Sequence, residues 1–222
     1  MRQIIKGLFS QRCGLRDQLV SAGRTRWLDV GGKYPPEKGF ISLNLGSKPE
    51  GDPEDAPYIQ ADFLQMRDED LKSLGTFDLV RLQHVFEHFS FQDGQTVLQR
   101  CAILLRPGGF LLLSVPNLRF HIAGYLIGSM WYRLIYPSYL NYTRWFLPSN
   151  APSSMTFSIF THQGGDHKFC YDRKSLLYSV RSVGYYENVQ IISILSPLAG
   201  IPFTHNRPAE DLCLLAQKAN TQ

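Results

Sequence analysis

Three titratable side chains, His84, Glu87 and His88, lie close together after the apolar stretch "FDLVRLQ". Histidine titrates near neutral pH, so either imidazole is a candidate to take a proton from a substrate, and we favour His88 over His84. His167, which follows "HQGGD", is a further candidate for this role. The alternative is that Glu87 and His88 only form hydrogen bonds that shape the loop. The pattern therefore indicates either general base chemistry or a structural loop.

A pair of glycines, Gly31 and Gly32, follows the apolar stretch "RWLDV". Glycines after a strand let a ligand approach the backbone closely, although they also occur in ordinary tight turns. A dinucleotide fingerprint needs three spaced glycines that open a helix, whereas Lys-Tyr-Pro-Pro follows Gly32 here. We therefore expect a small ligand other than NAD at this loop.

The segment after these glycines is short. Only nine residues separate Val30 from Phe40, whereas two parallel strands need a crossover of about a dozen or more. We expect the first crossover to be reduced to a turn or a short loop. Such a loop offers no helix N-terminus to a phosphate group.

Composition places the chain among folded globular proteins. Its 222 residues are 44% hydrophobic and 19% charged, which suits one α/β domain spanning 1–222. The net charge of +4 does not favour a nucleic-acid partner. The four cysteines are scattered without a C-x-x-C pair, so we expect no zinc or other metal site, and reduced thiols in the cytoplasm.

Seven apolar segments alternate with helical patterns, which predicts an α/β fold with a doubly wound, mostly parallel sheet. The strand candidates are "RWLDV", "FISLNL", "PYIQAD", "FDLVRLQ", "FLLLSV", "YENVQIISIL" and "EDLCLLAQK". Residues 1–24 suit an amphipathic helical segment that covers the domain. Residues 148–165 are rich in Ser, Pro, Thr and Gly, which favours a loop or an irregular hairpin.

An insertion over residues 118–166 is rich in aromatic residues, and no Asp or Glu occurs between Asp93 and Asp166. It suits a helical, aromatic cap that forms a wall over the site, with arginines that attract phosphate. Two other interpretations remain open, namely packing of a lid against the sheet and docking of residues 120–147 at a membrane surface. Arg133 and Pro137 argue against a membrane-spanning helix.

The order of these parts resembles the class I S-adenosylmethionine-dependent methyltransferases, from about residue 26 to residue 218. The motifs that carry the resemblance are "LDVGG", "ADF", "FDLVRLQHVFEHF", "LLRPGGFLLLSVPN" and "HKFCYDRKSLLYSVRSVGYYENV". The resemblance implies a Rossmann-like sheet of about seven strands with an antiparallel last strand. A finer similarity is to small bacterial methyltransferases of cell-surface sugar biosynthesis.

The resemblance assigns cofactor roles to the first two strands. Asp29 corresponds to the acid whose charge complements the methionine part of S-adenosylmethionine, and Gly31 and Gly32 correspond to the loop beside the cofactor. Asn44 stands where most relatives place an acid that holds both ribose hydroxyls. An amide offers one acceptor oxygen, so Asn44 implies one hydroxyl contact or no cofactor binding.

Two further positions follow from the resemblance. Asp62 and Phe63 correspond to the pair that contacts adenine; the alternative is that Asp62 caps a turn and Phe63 belongs to the core. Gln83 ends the fourth strand, at the rim where open α/β sheets bind ligands.

The resemblance implies an enzyme that transfers a methyl group from S-adenosylmethionine to a small-molecule, saccharide or lipid-linked acceptor, for which the basic cap suggests an anionic group. The alternative is a catalytically inactive methyltransferase fold that binds a partner. We expect a cytoplasmic protein, with peripheral membrane contact through 120–147 left open. The sequence leaves the oligomeric state open.

Overall fold

A computed structural model of the chain describes residues 14–32, 39–48, 57–127, 152–208 and 210–220. Seven strands form one sheet in the order β3-β2-β1-β4-β5-β7-β6. Strand β7 is antiparallel to both of its neighbours, and the remaining pairs are parallel. The strands are β1 (Trp27–Val30), β2 (Phe40–Asn44), β3 (Tyr58–Gln60), β4 (Phe77–Gln83), β5 (Leu105–Pro116), β6 (Tyr186–Ile192) and β7 (Asp211–Lys218). The predicted Rossmann-like sheet is confirmed.

Six α-helices accompany the sheet in the described ranges. They are α1 (Gly14–Ser21), α2 (Asp68–Ser73), α3 (Phe91–Leu104), α4 (Leu118–Ile127), α5 (Ser153–His162) and α6 (Arg173–Ser182). Short 3-10 helices occur at Phe86–His88 and Gln163–Gly165.

Two hydrophobic clusters cover the two faces of the sheet. Buried side chains of α2, α3 and α6 pack on one face against alternate residues of the strands, such as Leu28 and Val80. On the other face Leu15 and Leu19 of α1 pack with Trp27, Phe203 and neighbouring residues. This second face is covered largely by the irregular segment 193–208, which connects β6 to β7. The segment matters for function because its far end reaches the rim of the sheet.

Local sequence signals account for the N-termini of two helices, α3 and α6. Ser90 caps α3 by accepting a hydrogen bond from the Asp93 amide, and Asp172 caps α6 through a reciprocal capping box with Ser175. The helix α3 ends at Leu104, as "RPGG" predicts. However, β5 already begins at Leu105, so this turn sequence lies inside a strand at a register shift.

The described ends of the insertion are helical. Helices α4 and α5 pack together, with the Tyr125 and Phe157 ring centroids 5.6 Å apart. The prediction of a loop or hairpin over 148–165 is therefore wrong for 153–162. Hydroxyl residues in this helix do not break it, because Thr161 donates its hydroxyl proton to the Phe157 carbonyl one turn earlier. The aromatic wall predicted from Trp131, Tyr132, Tyr136, Tyr139, Tyr142, Trp145 and Phe146 lies outside the described residues.

Within the described ranges, no helix has both the length and the hydropathy that crossing a bilayer requires.

Candidate functional site

A cavity of about 390 Å³ opens at the carboxyl ends of β1, β4 and β5. This is where the strand order reverses between β1 and β4, the usual ligand position in open α/β sheets. The volume falls within the range of small-molecule sites. Its lining includes Asp29, Gly31, Gly32, Arg81, Gln83, His84, Glu87, His88, Pro116, Phe160, Gln163, His167, Pro202, Asn206, Arg207 and Glu210. Eight residues predicted for the site thus face one space, namely Asp29, Gly31, Gly32, Gln83, His84, Glu87, His88 and His167.

The glycine loop forms one side of this cavity. The Gly31 amide donates to the Leu43 carbonyl at 2.8 Å, and the Asn44 Nδ2 donates to the Gly32 carbonyl at 2.8 Å. Gly31 has a φ of +73°, and a Cβ on Gly32 would lie 2.3 Å from the Asp29 carboxylate. The loop is therefore held against β1 and β2 in a conformation that requires glycine.

Asp29 is engaged by a buried arginine. The Arg81 Nε lies 2.9 Å from one Asp29 oxygen, and its Nη2 lies 3.1 Å from the other. The two residues are register partners on β1 and β4, and both are about 3% exposed. The guanidinium also lies 3.9 Å from the centroid of the Phe40 ring. Asp29 lines the cavity, but Arg81 already balances its charge.

Asp62 and Phe63 have the contacts expected of the alternative structural interpretation. The Asp62 carboxylate accepts from the Leu64 amide at 2.9 Å, and the Phe63 ring is buried in the main core. Neither residue lines the cavity as the described ranges define it. Their predicted contact with adenine stays a prediction, as does the ribose contact of Asn44.

Gln83 ties the end of β4 to the irregular segment 193–208. Its Nε2 donates to the Pro202 carbonyl at 2.7 Å. This contact brings Pro202, Asn206 and Arg207 to the cavity, where they form a wall that the sequence analysis did not anticipate. The segment has no periodic hydrophobic pattern. Its position between two predicted strands was therefore the one sequence signal that it carried.

His84 is surrounded by carboxylates. Its Nε2 lies 2.8 Å from Asp211 Oδ1, and its Nδ1 lies 3.5 Å from Glu87 Oε1. Burial opposes protonation, but the two carboxylates outweigh it and raise the pKa of His84 to about 9. Burial also raises the pKa of Asp211, but the charged imidazole outweighs this and lowers it. His84 is therefore an imidazolium at neutral pH, which disfavours the predicted role as a base.

His88 and His167 contact backbone carbonyls, whereas His84 contacts carboxylates. Each uses Nδ1 to bond a backbone carbonyl, His88 to Asp166 at 3.1 Å and His167 to Phe160 at 3.0 Å. A carbonyl only accepts, so in each neutral ring Nδ1 carries the proton and Nε2 has a lone pair. Burial lowers the pKa of His167 despite the nearby Glu87 carboxylate, which keeps this ring neutral. The two ring centroids lie 4.9 Å apart.

Glu87 completes this group from the 3-10 helix. The Glu87 side chain is buried, and its Oε2 has no hydrogen-bond partner among the described residues. The Glu87 carbonyl accepts from the Lys168 and Phe169 amides, which brings His167 beside His88. Glu87, His88 and His167 each offer one ligand atom, and these atoms lie within 4.8 Å of one another. They form an end of the cavity that can accept protons or bind a cation.

Four charged residues of the site were missed from the sequence, namely Arg81, Arg207, Glu210 and Asp211. A signal for Arg81 existed, because an arginine in the middle of an apolar strand requires a buried partner. Asp211 directly precedes the apolar run of β7, where an acid meets the same rim as the ends of β4 and β5. Arg207 carried no comparable signal.

The chain was compared with known proteins. The family model described as "Methyltransferase domain" matches residues 36–153, just over half of the chain. The N-methyltransferase verN of Clonostachys rogersoniana is 28% identical over 149 residues, which are 65% of this chain and 49% of verN. The chain thus spans about half the length of this curated relative.

Solved structures show the same fold. A SAM dependent methyltransferase from Archaeoglobus fulgidus has a TM-score of 0.51 at 15% identity, and the match covers 98% of this chain and 99% of that one. The structure of PigF with SAH has a TM-score of 0.51 at 14% identity, covering 94% of this chain and 55% of PigF. The likeness to these structures shows the fold, and the predicted methyltransferase class agrees with the matched family. The chain belongs to the methyltransferase-domain family, and the prediction of that family is confirmed.

Proposed function

We propose that the chain transfers a methyl group from S-adenosylmethionine to a hydroxyl oxygen of a small acceptor, a saccharide or a lipid-linked molecule. One observation carries this proposal. A single cavity joins the glycine loop of β1 to the end formed by Glu87, His88 and His167. A donor held at the loop and an acceptor held at the other end would face each other across the rim of the sheet.

The residues at the loop fit the cofactor. Gly31 and Gly32 place backbone, without side chains, against the cavity. The amide nitrogen of Asn44 is bound to Gly32, so its oxygen is the atom that can accept from a ribose hydroxyl. The sulfonium of the bound cofactor supplies an already activated methyl group. The chain therefore has to align the acceptor and exclude water rather than activate the donor.

The histidine end suits an acceptor that must lose a proton. A hydroxyl is a poor nucleophile while protonated, and the Nε2 lone pairs with the Glu87 carboxylate make this the place where the proton leaves. In the reaction the acceptor O–H bond breaks, a C–O bond forms to the methyl carbon, and the C–S bond breaks with its electron pair passing to sulfur. His84, held as a cation, pairs with the carboxylates of Asp211 and Glu87.

Two separate features support an acceptor with an anionic and an apolar part. Arg207 lines the cavity from the segment 193–208, and the side chains of Leu126 and Ile127 are exposed on α4 of the cap. The exposed apolar side chains suit a lipid-linked acceptor and contact of 120–147 with a membrane. Co-sedimentation with anionic vesicles tests the membrane contact. If the chain remains in the supernatant, the proposed membrane contact is refuted.

The experiment for the reaction uses methyl-labelled S-adenosylmethionine with a panel of saccharides, sugar phosphates and detergent-solubilised lipid-linked saccharides. We expect label in one acceptor class and stoichiometric release of S-adenosylhomocysteine. Glu87→Gln should lose the activity while binding the cofactor, whereas the exposed His162, changed to Ala, serves as the matched control. Labelled products from nitrogen acceptors only would contradict the hydroxyl assignment.

A second candidate function is a catalytically inactive fold that binds a partner. Two observations favour it: the Asp29 carboxylate is already paired with Arg81, and the Asn44 amide is already bonded to Gly32. Under this alternative, the labelled assay gives no product and the cofactor does not bind.

A further inference from the structure

We propose that Glu87, His88 and His167 bind a divalent transition-metal ion, for which zinc fits the ligand set best. The carboxylate of Glu87 and one nitrogen of each imidazole lie within 4.8 Å of one another at one end of the cavity. Two histidines and one glutamate are a donor set that catalytic zinc sites use, with a further position open to water or substrate. The sequence contains no cysteine pair, and we therefore predicted no metal site. The three proposed ligands form no local motif, because they come from segments about 80 residues apart.

The tautomers of both histidines are set for a metal. His88 Nδ1 donates to the Asp166 carbonyl, and His167 Nδ1 donates to the Phe160 carbonyl. Imidazoles that ligate metals in proteins typically hold their second nitrogen in this way, because the bond orients the ring and leaves the other nitrogen unprotonated. In this tautomer each Nε2 carries a lone pair and is available as a ligand.

Glu87 supplies the independent evidence. Its side chain is 3% exposed, and Oε2 has no hydrogen-bond partner in the part of the chain that the structure describes. An unpartnered carboxylate oxygen in a buried position is costly, since it has lost its hydration without replacement. The other oxygen, Oε1, is only 3.5 Å from His84 Nδ1. A cation between Glu87 and the two imidazoles would satisfy the carboxylate oxygen that the described residues leave without a hydrogen bond.

The donor set selects the class of ion. Two imidazoles and one carboxylate suit zinc and its first-row neighbours, whereas magnesium and calcium prefer an all-oxygen shell. Ligand atoms of a tetrahedral zinc ion lie about 3.3 Å apart, as metal–ligand distances near 2.0–2.1 Å require. The three ligand atoms must therefore move closer together when the ion binds.

The role of the ion in catalysis rests on the proposed function. A divalent cation at this end of the cavity lowers the pKa of an oxygen that contacts it, as zinc does for water. The acceptor hydroxyl would then release its proton to solvent water before its oxygen attacks the methyl carbon. Under this inference His88 and His167 would act as ligands, and solvent water would take the proton in place of the base predicted at His88.

The test measures metal binding separately from methyl transfer. The full chain is stripped with a chelator and titrated with Zn²⁺ by calorimetry, and with Co²⁺ by visible absorption. We expect one site per chain and d–d bands typical of nitrogen and oxygen ligands. Glu87→Gln and His167→Ala should each weaken Zn²⁺ binding at least tenfold, with unchanged binding of S-adenosylmethionine as evidence that the variants fold.

Two matched controls exclude other ligands. His162→Ala removes an exposed imidazole on α5, and Cys170→Ser removes a thiol that shares a small cavity with Glu87 and His167. Both should bind Zn²⁺ as the parent chain does. Zn²⁺ binding that survives Glu87→Gln, or no binding by the parent chain, overturns the proposal. Zn²⁺ binding without any binding of S-adenosylmethionine would instead refute the proposed function and leave the metal site in place.

Discussion

His84 shows how a residue that looks like a base in the sequence acts as a fixed cation in the structure. Its imidazole lies between Asp211 and Glu87, and its backbone has a φ of +54°. A non-glycine residue in this region is uncommon and costs free energy, which the two ion pairs offset. The charge on His84 therefore belongs to the architecture of the rim.

The first prediction concerns the pH dependence of stability. Because the pKa of His84 is about 9 in the folded chain and about 6.5 when unfolded, its stabilisation is fully present below pH 6.5. It is lost as the pH rises through 9, and it amounts to about 3 kcal/mol. Urea unfolding at pH 6.5 and 9.5 should show this loss in the parent chain but not in the His84→Asn variant. Asparagine is chosen because it adopts the positive φ of this position readily. An equal loss in both chains would show that His84 is not the titrating group.

Asn44 is the second informative single residue. Its amide braces the glycine loop by donating to the Gly32 carbonyl, which a carboxylate cannot do. We expect Asn44→Asp to lower the free energy of unfolding by about 1 kcal/mol and to weaken S-adenosylmethionine binding about fivefold. Calorimetry and urea unfolding measure the two effects. Tighter binding in the variant would mean that the ribose contact outweighs the brace.

At the level of elements, the pairing of β1 with β4 contains the most consequential contact. Asp29 and Arg81 are register partners in the middle of the sheet, and each is buried. A buried ion pair adds little net stability compared with apolar residues. Removal of one partner, however, leaves the other charge buried without compensation. Removal of one partner should therefore cost more free energy than the intact pair contributes.

The third prediction follows from this pair. Arg81→Met leaves the Asp29 carboxylate buried without its partner, so the free energy of unfolding should fall by about 3–5 kcal/mol. Replacing Asp29 by Leu in the same chain should restore much of the loss. Thermal and urea unfolding of the single and double variants measure both changes. A loss below about 1 kcal/mol in the single variant would show that water or another group compensates Asp29.

The elements also show how far sequence reasoning reaches. Apolar stretches between helical patterns predicted all seven strands, and caps such as Asp172 predicted the helix before Gly184, because these signals are local. Helix α5 was missed because its hydroxyl residues favour loops in isolation and are overridden by tertiary packing. The contacts of Asp29 with Arg81 and of His84 with Asp211 join residues far apart in the chain. No local pattern encodes them, so the charge states at the site required the structure.

At the scale of the whole molecule, the strand order gathers the site. Three strand ends, the 3-10 helix with Glu87 and His88, and the segment with His167 meet at one rim. The irregular segment 193–208 closes the rim from the other face through Gln83. Residues from five separate parts of the chain thus form a cavity with a glycine end and a histidine end. The proposed function requires that a cofactor binds at the glycine end of this cavity.

Calorimetric titration of the purified full chain with S-adenosylmethionine tests that claim most directly. We expect saturable binding at one site per chain, with a dissociation constant in the micromolar range. This corresponds to a binding free energy on the order of −8 kcal/mol. S-adenosylhomocysteine should compete for the same site. No detectable binding at millimolar concentrations of S-adenosylmethionine would contradict the account and favour the inactive, partner-binding fold.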